Sequence, residues 1–237
     1  DQGAAAFTAS QYIRVYAGTY DENVVPNSSL TPNLTHGYLL VIEGDPADDR
    51  ENIKIDPAAG HGISAGCDQI LVRHLWVDVT GSSYCLYSNT LCHVSEVLDC
   101  KLTAVASTGA VRCEYGVRIE GCEITLSGDG RAVYSSYSGY TIKACKITGP
   151  GKATSTMPAI QVNADKTPPL MTIEGTVISG FECGMYVIDN RTNGVRVLNT
   201  TFHDCVVGIK TYKATCSPEE VVDCVFKDCT YIYQVGA

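Results

Sequence analysis

Three acids and two cations in the C-terminal two thirds of the chain have the types and spacing for work on a sugar polymer. Asp165 and Asp189 lie 24 residues apart, and Glu114 stands upstream of both. Paired carboxylates are what a glycoside hydrolase needs, one protonating the leaving oxygen and one activating water or attacking. Arg112 or Lys210 would then orient a carboxylate of the substrate. A polysaccharide lyase would use the same cations differently. There Arg112 or Lys210 would take the proton beside the uronate carboxyl, and Tyr134 or Tyr186 would supply the acid. Neither set carries a specific motif. What groups them is position within a repeat.

The chain repeats itself about every 24 residues. Val97-Leu98-Asp99-Cys100-Lys101-Leu102-Thr103 returns as Ile119-Glu120-Gly121-Cys122-Glu123-Ile124-Thr125, as Ile142 to Thr148, and as Ile173 to Ser179. A second register runs beside it: Gly62-Ile63-Ser64, Cys85-Leu86-Tyr87, Ala110-Val111-Arg112, Ala132-Val133-Tyr134, Ala159-Ile160-Gln161, Gly184-Met185-Tyr186, Gly208-Ile209-Lys210 and Tyr231-Ile232-Tyr233. Both alternate apolar and polar residues with period two, the mark of short strands in a solenoid. Each unit holds at least two strands, and stacking the units in parallel buries a continuous column. The expected architecture is an all-β parallel β-helix of roughly nine coils, on the order of 40 Å long at ~4.8 Å per coil. Residues 1–237 read as a single domain, part of a larger protein or capped by a partner. Loop excursions are expected at 27–35, 149–157 and 165–169.

If the apolar member of the second register points inward, its neighbour points out. The outward column then reads Ser64, Tyr87, Arg112, Tyr134, Gln161, Tyr186, Lys210 and Tyr233. Two residues further on, Glu114, Asn163 and Tyr212 stand in line, with Asp165 and Asp189 close behind. Rings interleaved with amides and cations make a sugar surface, with Tyr87, Tyr134, Gln161, Asn163, Tyr186 and Tyr212 as substrate-binding candidates. Tyrosine is also a favoured residue of half-exposed sheets, where cross-strand pairs stabilise the scaffold without any ligand.

The formal charge is −9 and the pI about 4.9. Such a surface repels phosphate backbones, which argues against nucleic acid as a partner. No apolar run approaches the length of a membrane span. Asp1-Gln2-Gly3-Ala4 lacks the basic start and apolar core of a signal peptide, as a processed chain or an excised domain would. Of the twelve cysteines, Cys100, Cys122, Cys145 and Cys224 share one repeat position with Thr176 and Thr200. That equivalence reads as buried free thiols in a stacked column, with a few disulfides as the alternative. No Cys-x-x-Cys pair points to zinc, and no metal ligand set is assigned. Sequons occur at Asn27, Asn33, Asn190 and Asn199, the last placed by the pattern inside a strand.

The opening Gly18-Thr19-Tyr20-x-Glu22-Asn23 and the Gly-Ile strand starts resemble the pectate-lyase-like superfamily of right-handed parallel β-helices. The resemblance covers nearly the whole chain as a scaffold pattern. It implies a right-handed coil and a frequent link to polysaccharides, through lyases, polygalacturonases, esterases and tailspikes. Gly60-His61-Gly62 resembles the Gly-His-Gly segment of polygalacturonases, yet their Asn-Thr-Asp and Arg-Ile-Lys strands are missing, and Asp48-Asp49 lies about half a coil before His61. The catalytic Asp-Phe-Ile-Phe-Gly strand of pectin methylesterases is missing too. Pectate lyases hold calcium on clustered carboxylates. The densest acids here are Asp45, Asp48, Asp49, Glu51 and Asp56, in a turn between coils; they read as a solvated acidic loop, with weak calcium binding as the alternative and calcium the one cofactor suggested. His36, His74, His93 and His203 read as scattered surface or packed residues. The leading expectation is a carbohydrate-recognising β-helix module, acting on acidic polysaccharide as a lyase or glycoside hydrolase if it cleaves. The alternative is a non-catalytic structural or adhesion module of a phage tail fibre or cell surface. Either reading places it outside the cell or on a virion or cell surface, with a homo-oligomer through uncapped coil ends as a candidate assembly.

Overall fold

The computed structural model describes residues 10–25, 39–65, 70–81, 83–88, 94–105, 109–113, 116–135, 140–162, 171–188 and 194–236. They form three parallel sheets, two of nine strands and one of eight, and in each the strand order follows the chain. The first sheet runs from Gln11–Val15 to Glu220–Val222, and the second from Gly18–Tyr20 to Val225–Lys227. The third holds Ile63–Ala65, Tyr84–Ser88, Gly109–Arg112, Arg131–Ser135, Pro158–Val162, Cys183–Val187, Val207–Thr211 and Tyr231–Val235. One coil contributes one strand to each sheet, and the alternating side chains fill the space between them.

Segments that read as one continuous strand are in fact two, bent at a single residue. His74, Asp99, Gly121, Ala144, Gly175, Asn199 and Asp223 all take left-handed backbone, with φ between 48° and 64°. Such a residue turns the chain sharply from the first sheet into the second. Asn199 is therefore an exposed corner residue and not a strand residue as its pattern suggested, with φ 48°.

The residue after each corner points inward, and hydrogen bonding explains why Cys and Thr interchange there. The Cys100 thiol donates to the Leu98 carbonyl at 3.3 Å. The Thr176 and Thr200 hydroxyls make the same bond two residues back, at 3.1 and 2.9 Å. Each group also serves the coil before it, since the Cys100 N–H donates to Cys122 Sγ and the Cys145 N–H to Thr176 Oγ1, both at 3.4 Å. The ten described cysteines are free thiols, whereas Cys67 and Cys92 lie outside the described residues. Burial pushes the Cys113 thiol up to about 12.

Size complementarity sets the coil-to-coil fit. Where the second sheet carries Ile124, Ile147 and Ile178, the third-sheet position one coil earlier is Ala110, Ala132 and Ala159. Where it carries Phe202 and Phe226, that position is glycine. A Cβ on Gly208 would meet the Phe226 ring at 2.5 Å, and one on Gly184 would run into the Phe202 ring. The two phenylalanines stack at 5.1 Å with an interplanar angle of 5°.

The expected excursion at 149–157 is a strand-free loop pinned along the coil axis. Asp129 accepts the Thr156 and Met157 N–H groups at 2.7 and 3.1 Å, and Lys152 reaches Asp204 at 2.8 Å. The segments 27–35 and 165–169 lie outside the described residues.

Candidate functional site

The third sheet presents the outward column in strict register. Tyr87 pairs with Arg112, Arg112 with Tyr134, Tyr134 with Gln161, Gln161 with Tyr186, and Tyr186 with Lys210. Their inward neighbours Leu86, Val111, Val133, Ile160, Met185 and Ile209 are all buried. The last coil departs from the sequence alignment by one residue. Lys210 pairs with Gln234, and Tyr233 pairs with the inward-facing Ile209. Tyr233 thus leaves the column, and its hydroxyl bonds Thr211 and Ser217 at 3.1 and 2.9 Å.

Within the column, rings and cations are in contact. The Arg112 guanidinium sits 5.9, 5.6 and 5.7 Å from the ring centres of Tyr84, Tyr87 and Tyr134. Arg131 lies 5.2 Å from Tyr134, and Lys210 lies 5.5 Å from Tyr186. These separations fit cation–π attraction, which holds each cation at the surface beside a ring face. Lys210 also lies 3.7 Å from the Glu182 carboxylate. Tyr87, Arg112, Tyr134, Tyr186 and Lys210 are all half-buried.

Gln161 behaves differently from its sequence assignment as an open binding residue. It is only 7% exposed, and its amide oxygen accepts a hydrogen bond from Arg131. It fixes Arg131 beside Tyr134 and does not itself present a free amide oxygen. Tyr212 stands just past its strand, 43% exposed, with Lys213 5.2 Å from its ring. Glu114, Asn163, Asp165 and Asp189 lie outside the described residues. The structure therefore brings Arg112, Tyr87, Tyr134, Tyr186 and Lys210 into one strip and leaves the carboxylate pairing unaddressed.

Arg131, Tyr84 and His61 also lie against the strip, where sequence reasoning did not place them. Arg131 opens the strand that carries Tyr134, and strict alternation with the inward Val133 would have turned it to the other face, so its place beside Tyr134 needed coordinates. Tyr84 precedes the inward pair of its strand and gave no signal either. His61 stacks on Tyr87 at 4.3 Å with an interplanar angle of 13°. The Tyr84 N–H donates to its Nδ1 at 3.0 Å, which puts the proton of the neutral ring on Nε2. Burial, assisted by Arg112, holds its pKa below the usual histidine range.

The acidic turn at 45–56 does not converge on an ion. Asp45 accepts the Ala47 N–H at 3.0 Å, Asp48 the Ala17 N–H at 3.1 Å, Glu51 binds Arg50 at 3.1 Å, and Asp56 binds Lys54 at 2.7 Å. Among the described residues no group of three or more His, Cys, Asp or Glu is arranged to hold a metal ion. The turn is instead clamped by His74. Its Nδ1 lies 2.8 Å from Asp99 Oδ2 and its Nε2 lies 2.8 Å from the Asp48 carbonyl oxygen. Two acceptors on one ring require two donors, so the clamp is built for the imidazolium. Its pKa is raised by the Asp99 hydrogen bond first and by the Asp48 carbonyl second, with burial and then Arg50 opposing. A raised folded pKa gives stability that is complete below the unfolded value of about 6.5 and is lost as pH climbs through the folded one. The melting temperature should fall across that window, and His74→Gln should flatten the fall. An identical pH profile for the variant would remove the clamp from the account.

The family model described as the right handed beta helix region matches residues 79–236. The chain belongs to the right-handed β-helix family. This β-helix chain is also similar to two solved structures of a pectin methylesterase from Aspergillus niger. One, in deglycosylated form, is 12% identical with a TM-score of 0.47, covering 97% of this chain and 78% of that one. The other, in penultimately deglycosylated form, is 13% identical with a TM-score of 0.46, covering 91% and 82%. No curated protein sequence matches this β-helix chain. No helix among its described residues is long and apolar enough to cross a membrane.

Proposed function

We propose that this β-helix module binds an acidic polysaccharide along the outer face of its third sheet. The observation that carries the reading is the register of ring faces and cations on a chain of net charge −9. Tyr134 and Tyr186 offer flat apolar ring surface for the C–H side of sugar rings, with hydroxyls at their edges, while Tyr87 carries His61 stacked on its face and offers its edge and hydroxyl. Arg112, Arg131 and Lys210 offer the charge that selects carboxylated sugars over neutral ones. None of the described members of the outward column is acidic, and Glu182 pairs with Lys210 at one end of it. A polymer of this kind is met outside the cell or at a virion or cell surface, and that is the proposed location.

The described face supplies groups that hold a chain. Cleavage would require its proton-transfer groups from Glu114, Asp165 and Asp189, with Arg112 or Lys210 against the substrate carboxylate. Reducing-end and unsaturated-uronate assays, run with and without calcium, test that finer reading directly.

Retardation in gels containing acidic or neutral polysaccharides tests the binding. Acidic polymers should retard the chain and neutral ones should not. Arg112→Ala should weaken the acidic interaction about tenfold, the effect of losing one charge-assisted contact. Equal retardation by neutral polymers, or an Arg112→Ala chain indistinguishable from the parent, would sink the reading.

A further inference from the structure

A second cationic feature lies on the first sheet, away from the tyrosine strip in sequence and register. Arg14, Glu43 and Arg73 stand side by side on three consecutive strands. Glu43 is 4% exposed, and its carboxylate is held from both sides. Arg14 Nη2 donates to Oε1 at 2.9 Å, and Arg73 donates to Oε2 through Nε at 2.7 Å and through Nη2. Both guanidinium side chains are nearly half exposed, at 49% and 44%. A guanidinium has five N–H donors in a rigid fork, and the Glu43 contacts engage one from Arg14 and two from Arg73. One buried carboxylate thus fixes two forks whose charge it only half neutralises.

A groove of about 380 Å³ opens on these groups, lined by Arg14, Glu43, Gly44, Pro46, Arg73, His74, Leu98 and Asp99. Its floor is small and apolar at Gly44, where a Cβ would collide with the His74 carbonyl. The His74 ring, with both nitrogens engaged by Asp99 and Asp48, adds charge at the rim. Arg50 lies 3.1 Å from the other Asp99 oxygen but also pairs with Glu51 and Glu123, so it offsets that acid only in part.

We propose that this groove is a binding site for a tetrahedral oxyanion, a phosphate or sulfate group. Several acceptor oxygens on one centre match two pre-oriented forks better than a single planar carboxylate does. The site is independent of the glycan reading, because it shares no residue with the tyrosine strip.

Calorimetric titration of the full chain with inorganic phosphate, inorganic sulfate and a sulfated oligosaccharide tests it, with chloride as the control. Saturable one-to-one binding of phosphate or sulfate is expected. Arg14→Gln and Arg73→Gln should each weaken it about tenfold, and Tyr134→Ala should leave it unchanged. Tighter binding of the sulfated sugar would identify a decorated polymer as the source, and tighter binding of the free ions would identify the ions themselves. Arg14→Lys keeps Glu43 neutralised while removing the fork, and should weaken binding by an intermediate factor in a chain of unchanged melting temperature. The proposal is overturned if neither ion gives saturable heat, if chloride competes equally, or if binding survives both Arg→Gln substitutions.

Discussion

Phe202→Ala should cost about 3–5 kcal/mol of folding stability, the range for truncating a fully buried aromatic. Phe202 has no exposed surface, and it stacks on Phe226 above the Gly184 backbone. The loss would leave a void the coils cannot close, because strand spacing fixes their separation. The companion substitution sharpens the test. Gly184→Ala adds one methyl into the Phe202 ring and within 2.8 Å of the Gly208 carbonyl oxygen, so it should cost about 1–3 kcal/mol from overpacking. Phe202→Ile combined with Gly184→Ala installs the Ala–Ile pairing of the middle coils. The double variant should therefore be more stable than the sum of its singles, with a coupling of about 0.5–3 kcal/mol. Denaturant midpoints measure all four states, and strictly additive changes would show that the pairing is coincidental.

Tyr134→Ala with Tyr186→Ala should lower affinity for an acidic oligosaccharide by roughly thirtyfold, about 1 kcal/mol for each ring. Each ring also positions a cation, since Arg112 and Arg131 lean on Tyr134 and Lys210 leans on Tyr186. Removing the ring frees that side chain to wander. Tyr→Phe at both positions keeps the faces and removes the hydroxyls, so most of the affinity should remain. The melting temperature of the Ala pair should move little, because both side chains are half exposed. Unaltered affinity in the Ala pair, or an equal loss in the Phe pair, would reassign these tyrosines to cross-strand support of the sheet.

The sequence carried the architecture because a solenoid writes the same instructions into every coil. The apolar member of the second register, from Ile63 to Ile232, occurs eight times and cannot be missed. The corner residues were harder to read. Asp99-Cys100 and Asn199-Thr200 look like the middle of a strand, since a single left-handed residue interrupts the alternation no more than a polar strand residue does. The interchange of Cys and Thr pointed to burial, but the shared hydrogen bond to the carbonyl two residues back needed coordinates. The ligand face was half visible. Strand alternation places Tyr87, Arg112, Tyr134, Tyr186 and Lys210 on one side, but periodicity says nothing of who covers whom. Gln161 is spent on Arg131, and His61 joins through a stack across coils. Tyr233 slipped because the last strand pairs one residue out of the repeat. Arg14, Glu43 and Arg73 were invisible as a group, because their spacings of 29 and 30 residues fall outside the dominant period.

The most direct test of acidic-glycan recognition is a residue-resolved NMR titration with an oligouronate, paired with its fully methyl-esterified counterpart. The account predicts saturable shifts at Tyr87, Arg112, Tyr134, Tyr186 and Lys210 with the acid, and none with the neutral ester. Shifts scattered elsewhere, or the same response to both ligands, would contradict it.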